Sequence, residues 1–411
     1  MQSTIQLSDK TQHFLDLEEK YGAHNYHPLP VVLNRGEGVF VWDVDNKRYY
    51  DFLSGYSAVN QGHCHPIIIK ALVEQAQKLT LTSRAFHSDS LGEYAQFITE
   101  YFGYDKVLPM NTGVEAVETA IKLCRRWGYE IKGVEENKAK IIVCEQNFHG
   151  RTSTVISFSS DPSSYTKFGP YMPGFIKIPY NDLAALEKAL QEKNVCGFLV
   201  EPIQGEAGVV VPDEGYFSKA KQYCEDARVL FIADEIQTGL CRTGKMLACD
   251  HENVKPDILL LGKALSGGTL PVAAVLANNE IMLVIKPGEH GSTYGGNPLA
   301  CKIAIASLTV LKDEKMADNA ERMGALLRNE LAKLNSPYIS LIRGKGLLNA
   351  IVIKHKNKEA AWDLCIEMKN HGLLAKPTHG DKIRFAPPLI ITESQILECV
   401  EIISRSLEIL K

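Results

Sequence analysis

The chain has 411 residues, of which 45% are apolar and 23% charged, the proportions of an ordinary folded protein. They exclude a disordered chain, a collagen and a small disulfide-stapled scaffold, and the length predicts two to three domains, or one large domain with an appendage. Forty-five Lys and Arg against 49 Asp and Glu leave a net charge of −4 at pH 7, so no basic excess exists to neutralise phosphates and nucleic acid is not expected as a partner. Ten cysteines fall singly with no C-x-x-C pair, the pattern of reduced thiols in a cytoplasmic compartment.

In chain order, the opening MQSTIQLSDK lacks the basic and apolar runs of a signal peptide and the Arg-rich character of a transit peptide. Residues 1 to about 35 are expected to form an arm. A hairpin-like stretch follows over 38–51, with Asp45-Asn46-Lys47 as its turn. His63-Cys64-His65 is not expected to bind metal, because adjacent positions on a short extended segment do not converge on one ion. The middle of the chain alternates apolar runs (106–110, 140–144, 197–200, 229–233, 258–261, 272–276) with amphipathic helical stretches (114–127, 183–192, 216–227). That alternation predicts an α/β domain with a mostly parallel central sheet. The run 264–279 is broken by Gly267, Gly268 and Pro271 and falls short of the ~20 apolar residues a membrane span needs. The last third predicts helices over 299–312, 317–334, 359–370 and 393–409, with strands over 339–342 and 348–353: a smaller α+β domain.

Ligands of open α/β sheets bind beyond the carboxyl ends of the strands, so the residues that follow each strand carry the functional reading. After 106–110 comes Asn111-Thr112-Gly113-Val114-Glu115; a helix N-terminus there suits a phosphate, and an ordinary capping box accounts for the same residues. After 140–144 comes Asn147-Phe148-His149-Gly150-Arg151, an aromatic, an imidazole and a guanidinium on one loop, or a turn with an exposed arginine. After 197–200, Glu201 and Glu206 read as solvated carboxylates. After 229–233 comes Asp234-Glu235-Ile236-Gln237, and after 258–261 comes Gly262-Lys263. Asp234 and Lys263 read equally as a buried salt bridge, or as a carboxylate with a desolvated, nucleophilic amine. Together these strand ends offer a phosphate cradle, a flat aromatic, a carboxylate and an amine, the set that pyridoxal 5'-phosphate requires. A P-loop is excluded because Ala264 follows Lys263 and the upstream glycine is missing, and no G-x-G-x-x-G follows a strand.

The segments 232–244 and 257–268, with Asp234 and Lys263 in them, resemble the signature of the class III pyridoxal-phosphate aminotransferases. Segments 21–26, 60–66, 205–208, 290–298 and 376–381 resemble the ornithine-using branch of that family. Cys241 stands where relatives carry a smaller residue. The resemblance implies a type I fold for pyridoxal-phosphate transferases: a large cofactor-binding domain over 50–295, and a small α+β domain made from 296–411 together with the N-terminal 1–49. It also implies a homodimer with shared active sites.

The same resemblance implies roles by position. Lys263 condenses with the cofactor aldehyde and later carries the proton, and Asp234 pairs with the ring nitrogen. Gln237 bonds near the phenolic oxygen, while Phe148 and Ile236 cover the two ring faces. Gly113 and Val114 give N–H groups to the phosphate, His149 supports this shell, and Ser292 and Thr293 reach the neighbouring subunit's phosphate. Tyr26 and Arg151 hold the α-amino and α-carboxylate groups of L-ornithine, and Tyr56 shapes the pocket. Arg384 takes a carboxylate of 2-oxoglutarate, and Glu206 covers Arg384 in the first half-reaction and moves aside in the second. The implied reaction transfers the δ-amino group of ornithine to 2-oxoglutarate. Acetylornithine or 4-aminobutyrate as donor, or a catalytically silent pyridoxal-phosphate-binding protein, remain the alternatives.

Overall fold

The structure, a computed structural model, describes residues 7–411; the first six residues of the expected N-terminal arm and of MQSTIQLSDK lie outside the described residues. Helix Asp9–Tyr21 opens the described chain, capped by Ser8, whose hydroxyl accepts the Thr11 N–H. Strands β1 (Leu33–Glu37), β2 (Phe40–Asp43) and β3 (Arg48–Asp51) then form an antiparallel meander. Its turn is built by Asp43. One carboxylate oxygen accepts the N–H groups of Asp45 and Lys47, and the other accepts the Tyr49 hydroxyl at 2.6 Å.

The central sheet has seven strands: β4 (Lys106–Met110), β5 (Lys140–Cys144), β6 (Phe175–Ile178), β7 (Val195–Val200), β8 (Leu230–Asp234), β9 (Ile258–Leu261) and β10 (Ala273–Ala277), in the order β4-β10-β9-β8-β7-β5-β6. Neighbours from β6 across to β9 run parallel, and β10 lies antiparallel to both β9 and β4. Every residue of β7, β8, β9 and β10 is buried, which is why these segments read as uninterrupted apolar runs. Helix Gly113–Trp127 covers one face through Val117, Ile121 and Cys124. On the other face Phe198, Phe217 and Phe231 meet edge to face.

The C-terminal third adds β11 (Ile339–Lys345), β12 (Leu348–Ile353), β13 (Leu373–Leu374), β14 (Lys376–Thr378) and β15 (Lys382–Phe385). Four of these form the sheet β11-β12-β15-β14, whereas β13 pairs in parallel with β3. The N-terminal meander is thereby stitched to the far end of the chain.

Several elements differ from the sequence expectation. β8 runs one residue further than expected, so Asp234 is its last residue. Strand β6 and the pieces β13–β15 were not expected: they are two to four residues long, too short to show a period. The final helix stops at Ser406 and tightens into a 3₁₀ turn over Leu407–Leu410. No helix among the described residues is long and apolar enough to cross a membrane, and no cluster of three potential metal ligands occurs among them.

Candidate active site

A cavity of about 260 Å³ opens at the carboxyl ends of β5, β7 and β8, where the topology of an open sheet leaves room for a ligand. Asp234 projects into it from the end of β8. One of its oxygens accepts the Ile236 N–H at 3.1 Å, and the other lies 2.7 Å from His149 Nδ1. Both side chains are almost fully buried. The Asp234–Lys263 salt bridge that the residues alone left open is therefore not formed; the acid's ion pair is with His149. Burial opposes a charge on the imidazole, but the hydrogen bond and charge of Asp234, with Glu201 behind, hold its pKa above the ordinary histidine value. His149 Nε2 is buried with no protein partner.

Lys263 opens the short turn after β9 and lines the cavity with partial solvent contact. The surrounding protein pushes its ammonium pKa down; the carboxylates of Glu206, Asp234 and Glu201 oppose that, and Arg384 adds to it. Burial is the largest of these influences, so the amine holds its proton less tightly than an exposed lysine does. Its backbone sits at φ +45°, a left-handed conformation that costs a side-chain-bearing residue roughly 1–2 kcal/mol and that recurs at functional sites.

Opposite, Thr112 caps helix Gly113–Trp127 in a reciprocal box with Glu115. The two readings of that segment are compatible: the box takes the Thr112 and Glu115 N–H groups, while Gly113 and Val114, whose N–H groups have no intrahelical acceptor, line the cavity. A side chain at Gly113 would put its Cβ 3.1 Å from Ile236, so the wall there is closed to anything larger. Phe148 and Ile236 face the same cavity.

The reading of Glu201 and Glu206 as solvated carboxylates does not hold, and Glu206 instead pairs with Arg384, as the family resemblance implies. Glu201 is only 8% exposed, and its Oε2 accepts the Phe148 N–H at 3.0 Å. Burial pushes its carboxyl up to about 8; His149 opposes the rise, and Asp234 and Glu206 add to it. Glu201 is the site residue that sequence reasoning missed. Its signal was position, directly after a strand buried on both faces, the same signal that singled out Asp234. Glu206 Oε1 lies 2.6 Å from Arg384 Nη1. Burial works against the Glu206 charge, but the Arg384 guanidinium more than offsets it and the pKa falls below the ordinary value.

Arg384, on β15, is itself buried, and its guanidinium carbon stands 4.9 Å from the centre of the Tyr56 ring. Gln237 Nε2 bridges this group, 3.5 Å from both Glu206 Oε1 and the Tyr56 carbonyl. Tyr56 is presented by an uncommon backbone: Ser54, Gly55, Tyr56 and Ser57 all have positive φ (49, 56, 60 and 71°). A run of left-handed residues is costly. It is held by Asp51 Oδ1, which accepts the N–H groups of Leu53 and Ser54.

The remaining expected site residues stand further out. Arg151 is exposed, 5.7 Å from the Phe148 ring centre. Tyr26 is 68% exposed. Both are near enough to bear on the ionisation of Tyr56. Neither Ser292 nor Thr293 lines the cavity. The Ser292 hydroxyl instead accepts from Asn111 Nδ2 at 2.7 Å and from the Gly295 N–H, and Thr293 is exposed.

A flat aldehyde with a phosphate tail fits these residues. A helix N-terminus without a side chain at its first position takes the anion. Apolar Phe148 and Ile236 flank the space, a buried carboxylate lies on one wall, and the Lys263 amine, its pKa lowered by burial, lies on another. The unpartnered His149 Nε2 also marks a polar wall without a protein partner.

Residues 21–407 match the family model of the class III aminotransferases. The chain is similar to the mitochondrial ornithine aminotransferase of Rattus norvegicus, 62% identical over 404 residues that span 98% of this chain and 92% of that one. Among solved structures, the ornithine aminotransferase of Toxoplasma gondii superposes with a TM-score of 0.95 at 49% identity, covering 98% of this chain and 96% of that one. A protein described as the acetylornithine aminotransferase of Elizabethkingia anophelis superposes with a TM-score of 0.89 at 60% identity, covering 97% and 99%.

Proposed function

The chain belongs to the class III aminotransferases, and from that premise we propose that it transfers the δ-amino group of L-ornithine to 2-oxoglutarate, giving glutamate 5-semialdehyde and L-glutamate, with pyridoxal 5'-phosphate as its cofactor. The observation that carries the reading is the Glu206–Arg384 pair beside Lys263. One site must accept a monocarboxylate diamine and then a dicarboxylate. An arginine that exchanges an internal carboxylate for an external one meets that demand with little change in charge.

The bound cofactor supplies an aldehyde that condenses with amines and a ring that takes up electrons. The chain does the rest. Gly113 and Val114 would present N–H groups to the phosphate, Phe148 and Ile236 would flank the ring, and Asp234, oriented by His149, would hold a proton at the ring nitrogen. Lys263 Nζ takes up the proton that leaves the substrate carbon and returns it on the other side of the transfer. Arg151, 5.7 Å from the Phe148 ring centre, and Tyr26 would take the α-carboxylate and α-amino ends of a five-carbon diamine; Arg offers a two-pronged match to a carboxylate.

The likeness to a protein described as an acetylornithine aminotransferase supplies a second reading, in which the donor's α-amine is acetylated. A half-reaction titration of the cofactor-loaded protein with ornithine, N-acetylornithine, lysine and 4-aminobutyrate separates the two. Loss of the cofactor's aldehyde-state absorbance at the lowest concentration of ornithine is expected; preference for N-acetylornithine would replace the proposal with the second reading.

A homodimer belongs to the same proposal. Phe86 and Tyr294 are 74% and 57% exposed, and large exposed aromatics fit a surface made for a second copy; sedimentation gives the answer. The expected cytoplasmic location is likewise a proposal, supported by ten unpaired cysteines and testable by fractionation, since the rat relative is named as mitochondrial.

A further inference from the structure

Glu201 sits where its charge matters. Its carboxyl is enclosed among groups from every element packed around the end of β7. Asp234 comes from β8, His149 from the loop after β5, and Glu206 from its own loop; Lys263 lies beyond, after β9. Cys144 at the end of β5 and Tyr180 after β6 also feel it, and both are driven further toward their neutral forms by burial. The backbone at Glu201 is pinned independently, because the Tyr180 hydroxyl donates to the carbonyls of Glu201 (3.2 Å) and Pro202 (2.8 Å). Among the described residues the side chain has one polar contact, the N–H of Phe148 at 3.0 Å. Phe148 is the residue whose ring borders the cofactor cavity. A second ionised carboxylate here would stand beside Asp234 with a single imidazole shared between them.

We propose that Glu201 remains uncharged in the working protein and acts as a positioning residue: it fixes the Phe148 ring against the cofactor and spares Asp234 a second neighbouring negative charge. This deepens the function proposed above and rests on it for the identity of the cofactor, though not for the state of the carboxyl. The enclosed position supports a neutral acid: burial, with the charges of Asp234 and Glu206, outweighs the pull of His149 and of the Phe148 N–H and carries the group to about 8. A neutral carboxyl still accepts the Phe148 N–H through its carbonyl oxygen, so the bond does not need the charge. Its hydroxyl is then free to donate toward the cavity.

The test compares Glu201→Gln, Glu201→Ala and the parent protein in two ways. Melting of the cofactor-free proteins is followed from pH 5 to 9. A folded state that keeps a proton the unfolded chain releases loses stability as pH rises through that interval. Glu201→Gln removes this loss, so its melting temperature should gain on the parent's from pH 5 up to about 8 and hold a constant lead above. Glu235, a second buried carboxyl raised to about 7, contributes equally to both proteins and cancels. Pyridoxal phosphate affinity is then measured by equilibrium dialysis. Glu201→Ala is expected to weaken it about 10- to 100-fold, the equivalent of one lost buried hydrogen bond, and Glu201→Gln to recover most of that.

A pH-independent difference in melting, or a Gln variant as weak in cofactor binding as the Ala variant, would overturn the proposal, because either result means the charge is present or required. If the parent protein fails to use ornithine, the functional reading falls while the cofactor-free melting still decides the state of Glu201.

Discussion

Arg384 reaches Glu206 across the boundary between two sheets, with 2.6 Å between Nη1 and Oε1. The pair is mostly enclosed, so an external carboxylate gains access to Arg384 only when Glu206 leaves. Glu206→Ala should therefore expose the guanidinium at all times. The KM for 2-oxoglutarate should fall several-fold, while ornithine is captured through its own carboxylate and reacts increasingly at the α-amine. Product analysis after a single half-turnover reads this directly. Unaltered regiochemistry would mean that the pair is a fixed structural bridge.

In the proposed reaction Lys263 carries both the nucleophile and the mobile proton on one nitrogen. Its replacement by Ala should lower kcat by about 10⁴-fold or more, since both nucleophilic and acid–base contributions go together. The lowered amine pKa makes a further demand on the cofactor-free protein. At pH 8 an amine-reactive reagent of small size should modify Lys263 ahead of the exposed lysines, and pyridoxal phosphate should protect it. Labelling in proportion to exposure alone would contradict the assignment.

Much of this was legible in the sequence because the sheet is buried on both faces. Strands β7 to β10 had to be apolar throughout, which exposed any polar residue at their ends as a candidate. Asp234 and Lys263 stand out on that ground alone. The same rule applies to Glu201, but a carboxylate on a loop after a strand reads equally as a solvated one. What could not be read was anything made by distant pairing. β13 is two residues long and exists because β3 lies beside it. The left-handed turn at 54–57 has no local cause beyond Gly55; Asp51 and the packing around it hold three side-chain-bearing residues where isolated peptides do not go. The His149–Asp234 contact joins positions 85 residues apart, a separation at which no local pattern signals a pairing.

His149 holds Asp234 from behind, so its removal should act through that acid. His149→Phe keeps the volume but leaves the Asp234 oxygen that faces it unpartnered in a buried site, which costs about 1–3 kcal/mol. Expressed on catalysis, kcat should fall about 10- to 100-fold, with KM for either substrate little altered. His149→Asn, which retains a donor, should recover part of the loss. A change confined to KM would place His149 in substrate binding instead.

Arg242 closes the seam between the central sheet and the C-terminal third without an acidic partner within ion-pair distance among the described residues. It is fully buried, and burial drives its guanidinium down to about 9. Nη1 donates to the carbonyls of Leu347 (3.0 Å) and Pro387 (2.6 Å), while Nε and Nη2 both reach Asn60 Oδ1. In return the Leu347 N–H donates to the Arg242 carbonyl at 3.0 Å. The backbones approach so closely that a Cβ on Gly346, at φ +52°, would fall 2.3 Å from the Thr243 carbonyl carbon. Leu347 leads into β12 and Pro387 follows β15, the strand that carries Arg384 and pairs with β12. Arg242→Met should strand these acceptors and destabilise the protein by about 3 kcal/mol, seen as a lower urea midpoint for the cofactor-free form. Gly346→Ala should destabilise comparably through the clash, with Arg242 intact. If Arg242→Met were neutral while Gly346→Ala was severe, the seam would owe its stability to close backbone packing, with the buried cation contributing nothing net.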